Sequence, residues 1–474
     1  MNTELQIYPK LTRREKFFYG FGDLSTALVW NVTITWAMFF FTDIFRISAI
    51  AAGTLMLIAR IYDAVNDPIA GFIVDRTDTK YGKARPYLLW FAIPYGLVGS
   101  FLFYTPHLSD SGKLIYAYVF YFVLITIYTL INIPYNSMIA LMTKDQGERT
   151  QLSRNRLLFA MVGFIVTSFI PVFANILGRG NSELEIQRSG FFRSALVLGV
   201  VAAAGFLITF FNTKEHVVEA NRDRKIEIKK HTMGQQLRSL LQNRPWAVAT
   251  LMTFSSNLRT AVMTAVAVYY SKYYLGRPES FASTILITTF AGAAVGLVVG
   301  PMVLKKYGSK KSVMVSSIIA LLLSAAILPI GQNTMLLLIC MFLIGITQGI
   351  PSVAVYPMFG DAVEYGDWKT GIRTEGVTFS SFTFAQKAAS GFASFLVGLL
   401  LTLFGYNSEL IEQSARTVKG IVSMFAVTPI IISAIVVIIV SFYPLTAEKY
   451  NNIVLELERR KQSNPNSITP SSSA

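Results

Sequence analysis

Long apolar stretches recur along this chain, separated by short clusters of charge, glycine and proline. Roughly twelve are long enough to cross a bilayer as a helix, which takes ~20 apolar residues. They lie near residues 17–43, 48–74, 87–106, 114–142, 152–176, 192–212, 246–271, 280–304, 312–331, 334–358, 376–404 and 420–443. Strict apolar–polar alternation is absent, which excludes a transmembrane β-barrel. A polar segment at 213–243, containing Glu219-Ala-Asn-Arg-Asp-Arg-Lys225 and Lys229-Lys-His231, divides the chain into halves at 1–212 and 244–443, each with six predicted helices. Residues 444–474 form a tail. Within it 447–461 reads as a short amphipathic helix and 463–474 as a low-complexity end.

Composition agrees with a chain solvated by lipid. Charged residues make up 15% and hydrophobic residues 53%, against about 25% charge in a soluble domain. The net charge of +15 would suit a nucleic-acid partner, but its distribution argues against one. With both termini placed in the cytoplasm, thirty of the 42 Lys and Arg fall on cytoplasmic segments and nine on outer loops, leaving Arg60, Arg259 and Lys387 inside helices. That is the asymmetry of the positive-inside rule. Cys340 is the single cysteine and lies in an apolar helix, so no disulfide forms within the chain. His107, His216 and His231 fall in loops and suggest neither a metal site nor a proton relay. The polar N-terminus lacks a signal-peptide pattern, so the first helix is expected to stay as an uncleaved anchor. Aromatic runs such as Phe39-Phe40-Phe41 and Tyr269-Tyr270 are expected to be interfacial anchors.

The halves carry a shared feature. Lys80-Tyr81-Gly82-Lys83 follows the second predicted helix, and Lys306-Tyr307-Gly308-Ser309-Lys310-Lys311 follows the eighth. An all-α membrane protein of twelve helices in two related halves, with both termini cytoplasmic, is similar to the layout of the major facilitator fold.

A charge at the bilayer centre costs ~2.5–3.5 kcal/mol even on lenient scales, so each one there requires a partner or a purpose. Asp23, Arg60, Asp63, Asp67, Arg259 and Lys387 are such charges. Asp63 and Asp67 are four residues apart, on one helix face, with Asn66 beside them and Arg60 one turn earlier. Two carboxylates and an amide oxygen suit a small cation, or one shared proton. A structural ion pair with Arg60 is the other reading. Two acids against one base leave surplus negative charge, which favours the cation.

Four segments carry a resemblance: Tyr19-Gly-Phe-Gly-Asp23, Ala59-Arg-Ile-Tyr-Asp63-Ala-Val-Asn66-Asp67-Pro68, Gly82-Lys-Ala-Arg-Pro86 and Asp361-Ala-Val-Glu364-Tyr365-Gly366. On these the chain resembles the glycoside–pentoside–hexuronide:cation symporter family, of which the melibiose carriers are members, from the first helix to the twelfth. The resemblance implies sugar uptake driven by an H+ or Na+ gradient, with no cofactor and no metal beyond a possible Na+. It implies that Asp63, Asn66 and Asp67 hold the cation with Thr129. Asn132 stands where melibiose carriers have a third acid; it is expected to offer the cation an oxygen or a sugar a hydrogen bond, but the lost charge weakens the case for sodium and strengthens that for a proton. The sugar-binding acid of the first helix falls on Ala27.

Around that departure, Asp23, Trp30 and Asn31 are expected to line the sugar cavity, with Asn136, Arg156, Thr383 and Lys387. Packing of Asp23 against backbone, and a cytoplasmic anchor role for Arg156, are the alternatives. Arg259 reads as a structural pair with an acid. Asp75 and Arg76, with Lys83 and Arg85, and Asp361 and Glu364, before Arg373, are expected to act in gating. The expected protein is a monomeric bacterial cell-membrane carrier, with the lipid bilayer and a small sugar, a neutral glycoside such as a xyloside, as its partners. Nothing suggests a channel filter or an enzyme. A non-transporting sugar sensor on the same fold is the remaining alternative.

Overall fold

A computed structural model describes residues 10–143, 145–216, 233–372, 374–410, 412–445 and 447–463. No backbone group in lipid can turn to water, so the apolar segments close their hydrogen bonds internally as helices despite many glycines and β-branched residues. In chain order they are α1 (Arg13–Phe39), α2 (Ala49–Asp75), α3 (Arg85–Phe101), α4 (Asp110–Met142), α5 (Gln146–Ser168), α6 (Ile170–Leu177), α7 (Glu183–Asn212), α8 (Met233–Leu241), α9 (Arg244–Tyr269), α10 (Ser280–Ile330), α11 (Thr334–Thr370), α12 (Glu375–Leu403), α13 (Ala415–Val422), α14 (Thr428–Ser441) and α15 (Ala447–Ser463). Among the described residues the only extended pairing is an isolated bridge from Thr79 to Gly82.

Eight helices are long and apolar enough to cross a membrane, or nine if the bent pair α5–α6 counts as one crossing. The 50° bend falls at Phe169, where Pro171 in the first turn of α6 supplies no N–H for continuing the helix. The predicted segments 280–304 and 312–331 run together as the 51-residue α10, which is interrupted at Gly308 (φ 76°, ψ 161°). That φ suits glycine and few other residues.

The chain forms two compact units: Met1–Ile226 with Thr264–Ile287 and Ser394–Ile421, and Glu227–Met263 with Thr288–Ala393 and Val422–Ala474. In the first, α1 packs against α5 and α7, and α3 against α7. Close approach needs small residues at the crossing. A Cβ added at Gly96 of α3 would lie 2.3 Å from the Gly199 carbonyl oxygen of α7. The run Phe39-Phe40-Phe41 is fully buried, with Phe40 5.0 Å from Phe103 and 5.9 Å from Phe191, ring to ring. Tyr269 and Tyr270 are buried too. The expectation of interfacial anchors is therefore corrected: these rings are core, because helices from several directions converge on them.

In the second unit the core gathers Met252, Val313, Met358, Phe359, Val436 and Val440. The predicted tail helix joins it through Ile453 and Leu457, one turn apart on the apolar face of α15. Trp368 donates to Glu456 at 2.8 Å, and Arg460 bonds the same carboxylate. These two partners hold Glu456 below the usual carboxylate range.

Two local structures recur at corresponding places. The chain leaves α1 through a π turn, Phe40–Ile44, closed by Phe45 N to Phe40 O and Ile47 N to Phe41 O, both 2.8 Å. It leaves α9 through a π turn, Tyr270–Tyr274, with Leu275 N to Tyr270 O and Arg277 N to Ser271 O at 3.0 Å. A left-handed residue completes each, Arg46 (φ 60°) and Gly276 (φ 61°). The Lys-Tyr-Gly turns match as well. After Gly82 (φ 105°), Arg85 donates to the Phe210 carbonyl near the end of α7 at 2.7 Å. After Gly308, Lys310 donates to the Ser441 and Tyr443 carbonyls at the end of α14 at 2.9 and 2.8 Å.

Gly96→Val should cost about 1–3 kcal/mol by overpacking the α3–α7 crossing. Gly71→Ala, where an added Cβ meets nothing within 4 Å, should be neutral or slightly stabilising. Thermal melts of the detergent-purified variants check the contrast, and equal melting temperatures would refute the crossing.

Candidate functional site

The first polar cluster lies on α1, α2 and α4. Asp63 is fully buried and Arg60 is 5% exposed, with Arg60 Nη1 3.7 Å from Asp63 Oδ2. Thr129 of α4 donates its hydroxyl to Asp63 Oδ1 at 3.4 Å. The Arg60 guanidinium sits over the Trp30 ring of α1, 4.8 Å from its centroid. Trp30 stacks on Tyr128 of α4, centroids 3.8 Å apart and planes 4° apart. A desolvated cation over indole gains ~2 kcal/mol, so Arg60 has an attachment that survives any change in the charge of Asp63. Asn66 is buried and Asp67 half-buried. Arg60 Nη2 and Asn66 Nδ2 are buried donors with no hydrogen-bond acceptor among the described residues.

A second cluster lies two turns away along the same helices. Arg156 of α5 clasps Asp23 of α1 with Nε to Oδ2 at 2.5 Å and Nη2 to Oδ1 at 3.0 Å. The same Nη2 donates to Asn136 Oδ1 at 2.5 Å, and Asn136 Nδ2 donates to Asn132 Oδ1 at 2.7 Å. The guanidinium also lies over the Tyr135 ring, 4.8 Å from its centroid. Tyr19 and Tyr135 lock α1 to α4 reciprocally, each hydroxyl donating to the other's carbonyl at 2.7 and 2.6 Å. Tyr128, Asn132 and Asn136 share one face of α4 by their spacing. Pro134 inside α4 removes one backbone N–H between the two asparagines.

Asp23 and Arg156 thus come together, and neither alternative for them, backbone packing or a cytoplasmic anchor, describes what they do. Asp63, Thr129 and Arg60 come together too. Asn132 instead bonds to Asn136, in the second cluster. Asn31 is half-buried on α1. Ala27 is buried, and a Cβ added at Gly163 of α5 would lie 2.5 Å from the Ala27 Cβ. Position 27 therefore packs against α5, where a carboxylate would have no room. Thr383 (exposed) and Lys387 (half-buried) lie on α12 in the second unit. There Arg259 donates to the Ser433 hydroxyl at 3.1 Å, so among the described residues the partner shown is a hydroxyl where an acid was expected.

Of the expected gating residues, Arg76 lies over the Phe72 ring at 3.8 Å. Asp361 accepts from the Tyr443 hydroxyl at 3.4 Å, and Glu364 is half-buried. Arg373 and the Asp75 side chain fall outside the described residues. Sequence reasoning missed Glu215. Its buried carboxylate accepts from the backbone N–H groups of Lys83, Ala84 and Arg85 at 2.8, 2.9 and 2.8 Å, capping the N-terminus of α3. The available signal was an acid three residues beyond the end of a span, in an otherwise basic loop. No cluster of three His, Cys, Asp or Glu able to hold a metal occurs among the described residues.

Asp23→Asn and Arg156→Gln should each destabilise the protein by leaving the partner charge uncompensated. The double variant should lose less than the sum, with a coupling on the order of 1–2 kcal/mol. Unfolding midpoints of the four proteins close the cycle, and additive losses would refute the pair.

Comparison with known proteins places this geometry in context. A family profile described as MFS/sugar transport protein matches residues 18–447. The inner membrane symporter YicJ of Escherichia coli strain K12 is 31% identical over 459 residues, 95% of this chain and 96% of that one. The isoprimeverose transporter of Lactiplantibacillus pentosus is 32% identical over 434 residues, 90% of this chain and 88% of its own. Among solved structures, a D-xylose–proton symporter superposes with a TM-score of 0.63 at 12% identity, covering 89% of this chain and 96% of that one; at that identity the likeness concerns fold alone. The chain belongs to the MFS/sugar transport proteins and, among them, to the glycoside–pentoside–hexuronide:cation symporter family.

Proposed function

We propose that this protein imports a sugar or glycoside together with a proton by alternating access, through twelve crossings with both termini cytoplasmic. Counting the bent pair α5–α6 as one gives nine crossings. Gly308 divides α10 into two, and α3 and α9 supply the rest. The recurring π turns and basic end-caps support two six-helix halves at 1–212 and 244–443, joined by 213–243 and followed by the tail at 444–474. The lysine and arginine distribution supports the orientation.

The observation that carries the mechanism is the buried Arg60–Asp63 pair resting on Trp30. Asp63 is the proton acceptor in this reading, with Thr129 holding its other oxygen. Neutralising Asp63 removes its attraction for Arg60, while the contact of Arg60 with Trp30 persists. The charge state of Asp63 is thereby felt at the Trp30 ring, which stacks on Tyr128 of α4. Asp23, Asn31, Asn136 and Arg156 form the sugar-binding set, and Thr383 and Lys387 on α12 are the further sugar-binding candidates. The unused donors of Arg60 and Asn66 are suited to a sugar hydroxyl oxygen. Sodium is the weaker choice because it needs a shell of hard oxygens, and Asn132, which stands at the third-acid position, spends its oxygen on Asn136. Asn66 and Asp67 complete the cation site as neighbours of Asp63. Arg76, Asp75, Asp361, Glu364 and Arg373 serve the cytoplasmic gate, and the chain functions as a monomer on a neutral glycoside, with a xyloside as the first to test.

Uptake of labelled glycosides into vesicles, with proton and sodium gradients imposed separately, should follow the proton gradient. Asp63→Asn should abolish uphill accumulation while retaining exchange between the two faces. A variant that concentrates sugar as well as wild type would refute the assignment of Asp63. Because coupling is reciprocal, bound sugar should tighten proton binding by the factor by which the proton tightens sugar.

A further inference from the structure

Asp43 belongs to neither cluster. It lies in the π turn that ends α1, and its side chain is buried. Its Oδ1 accepts from the Tyr406 hydroxyl at 2.6 Å and from the Tyr273 hydroxyl at 2.9 Å. Its Oδ2 is 2.6 Å from the Thr42 hydroxyl, which is itself 2.6 Å from the Tyr269 hydroxyl. Tyr273 sits in the π turn after α9, and Tyr406 lies just beyond α12. All these residues belong to the first compact unit. Lys272, the cation beside them, acts on Asp43 through its charge but spends its hydrogen bond on Glu279, at 2.8 Å. Burial works to raise Glu279, and the Lys272 ammonium outweighs it, holding that carboxylate below its ordinary range.

Asp43 is therefore held by hydroxyls from three separate segments. Two phenols and a threonine hydroxyl converge on this one buried carboxyl group. Phenols that leave such an acceptor carry no charge away, and water entering the gap can replace them at once. A salt bridge in the same place would leave two charges to rehydrate. The arrangement is strong while dry and reversible when wetted.

This inference rests on the topology proposed above, in which these segments are the outer ends of the first, seventh and eleventh helices. Any outward opening must then draw Tyr273 and Tyr406 away from Asp43. We propose that Asp43, Tyr273 and Tyr406 form a latch that closes the outer side of the carrier, Asp43 being the acceptor on the first half and the two tyrosines the donors on the second.

Spin labels at Ser48→Cys and Leu410→Cys, both on exposed outer positions, report the separation by double electron–electron resonance in liposomes, in a Cys340→Ser background. Without the latch, in Asp43→Asn or Tyr406→Phe, the population of a longer distance should rise about tenfold, the effect of losing one or two such bonds. Tyr116→Phe is the control: its hydroxyl donates to the Phe101 carbonyl on the same side at 2.6 Å and does not touch Asp43. An unchanged distribution in both latch variants would overturn the proposal, as would an equal shift in the control. Tyr406→Phe removes one oxygen from a loop residue, so it keeps the test informative if Asp43→Asn perturbs folding. The distances are read without sugar. A protein that shows the longer population yet transports no glycoside in vesicles keeps the latch and refutes the transport reading.

Discussion

A charge inside a bilayer must find a partner before the helix carrying it can rest there, and this chain places several in its first unit. Asp63 rests against Arg60, Asp23 against Arg156, and Asp43 against a set of hydroxyls. Each solution draws different helices together. Arg156 joins α5 to α1 and, through Asn136, to α4. Arg60 joins α2 to α1 through Trp30, and Trp30 continues to α4 through Tyr128. The same contacts that compensate the charges therefore fix the relative positions of the helices that line the site. Around them, packing of small residues lets α1 meet α5 at Ala27 and Gly163, and α3 meet α7 at Gly96 and Gly199.

Much of this was legible in the sequence because lipid imposes a strong length and hydropathy filter. The helices fall close to the predicted stretches, and the α2 motif was recognisable because i, i+3 and i, i+4 spacings fix neighbours without tertiary knowledge. The pair of Asp23 with Arg156 was not fixed in that way. Its partners are 133 residues apart, and each had a local explanation. Hydropathy also fails to distinguish lipid-facing rings from core rings, so Phe39, Phe40 and Phe41 were assigned to the interface when they are buried. Asp43 escaped notice for a related reason: it sits at the boundary of a predicted span, where an acid is usually cheap. Its burial follows from the convergence of other elements on that end of α1, which no local pattern records.

The internal repeat shows the same division. The Lys-Tyr-Gly turns were visible as sequence, but their purpose was not. Arg85 and Lys310 each reach the carbonyls at the end of a later helix, α7 and α14, where a cation also meets the negative end of the helix dipole. The π turns after α1 and α9 share almost no sequence, Phe-Phe-Thr-Asp-Ile against Tyr-Ser-Lys-Tyr-Tyr, yet close with equivalent hydrogen bonds. The same backbone geometry is thus built from different side chains. Those different side chains meet in the Asp43 cluster, with Asp43 from one turn and Tyr273 from the other.

The acidic motif on α2 is also sharper for being seen in place. On spacing alone, an ion pair and a cation site were competing readings of Asp63. The structure shows the ion pair, and in the proposed mechanism the two readings become successive states of the same residues. While Asp63 is ionised, Arg60 at 3.7 Å compensates it. Once Asp63 is neutralised, Arg60 still has the Trp30 face. A base with only one partner would make protonation of that partner costly, since it would leave a buried charge alone. In the proposed mechanism Arg60 therefore keeps one partner when the charge of Asp63 is lost. Trp30 thus holds the positive charge of Arg60 in place, in that mechanism, while the charge of Asp63 changes.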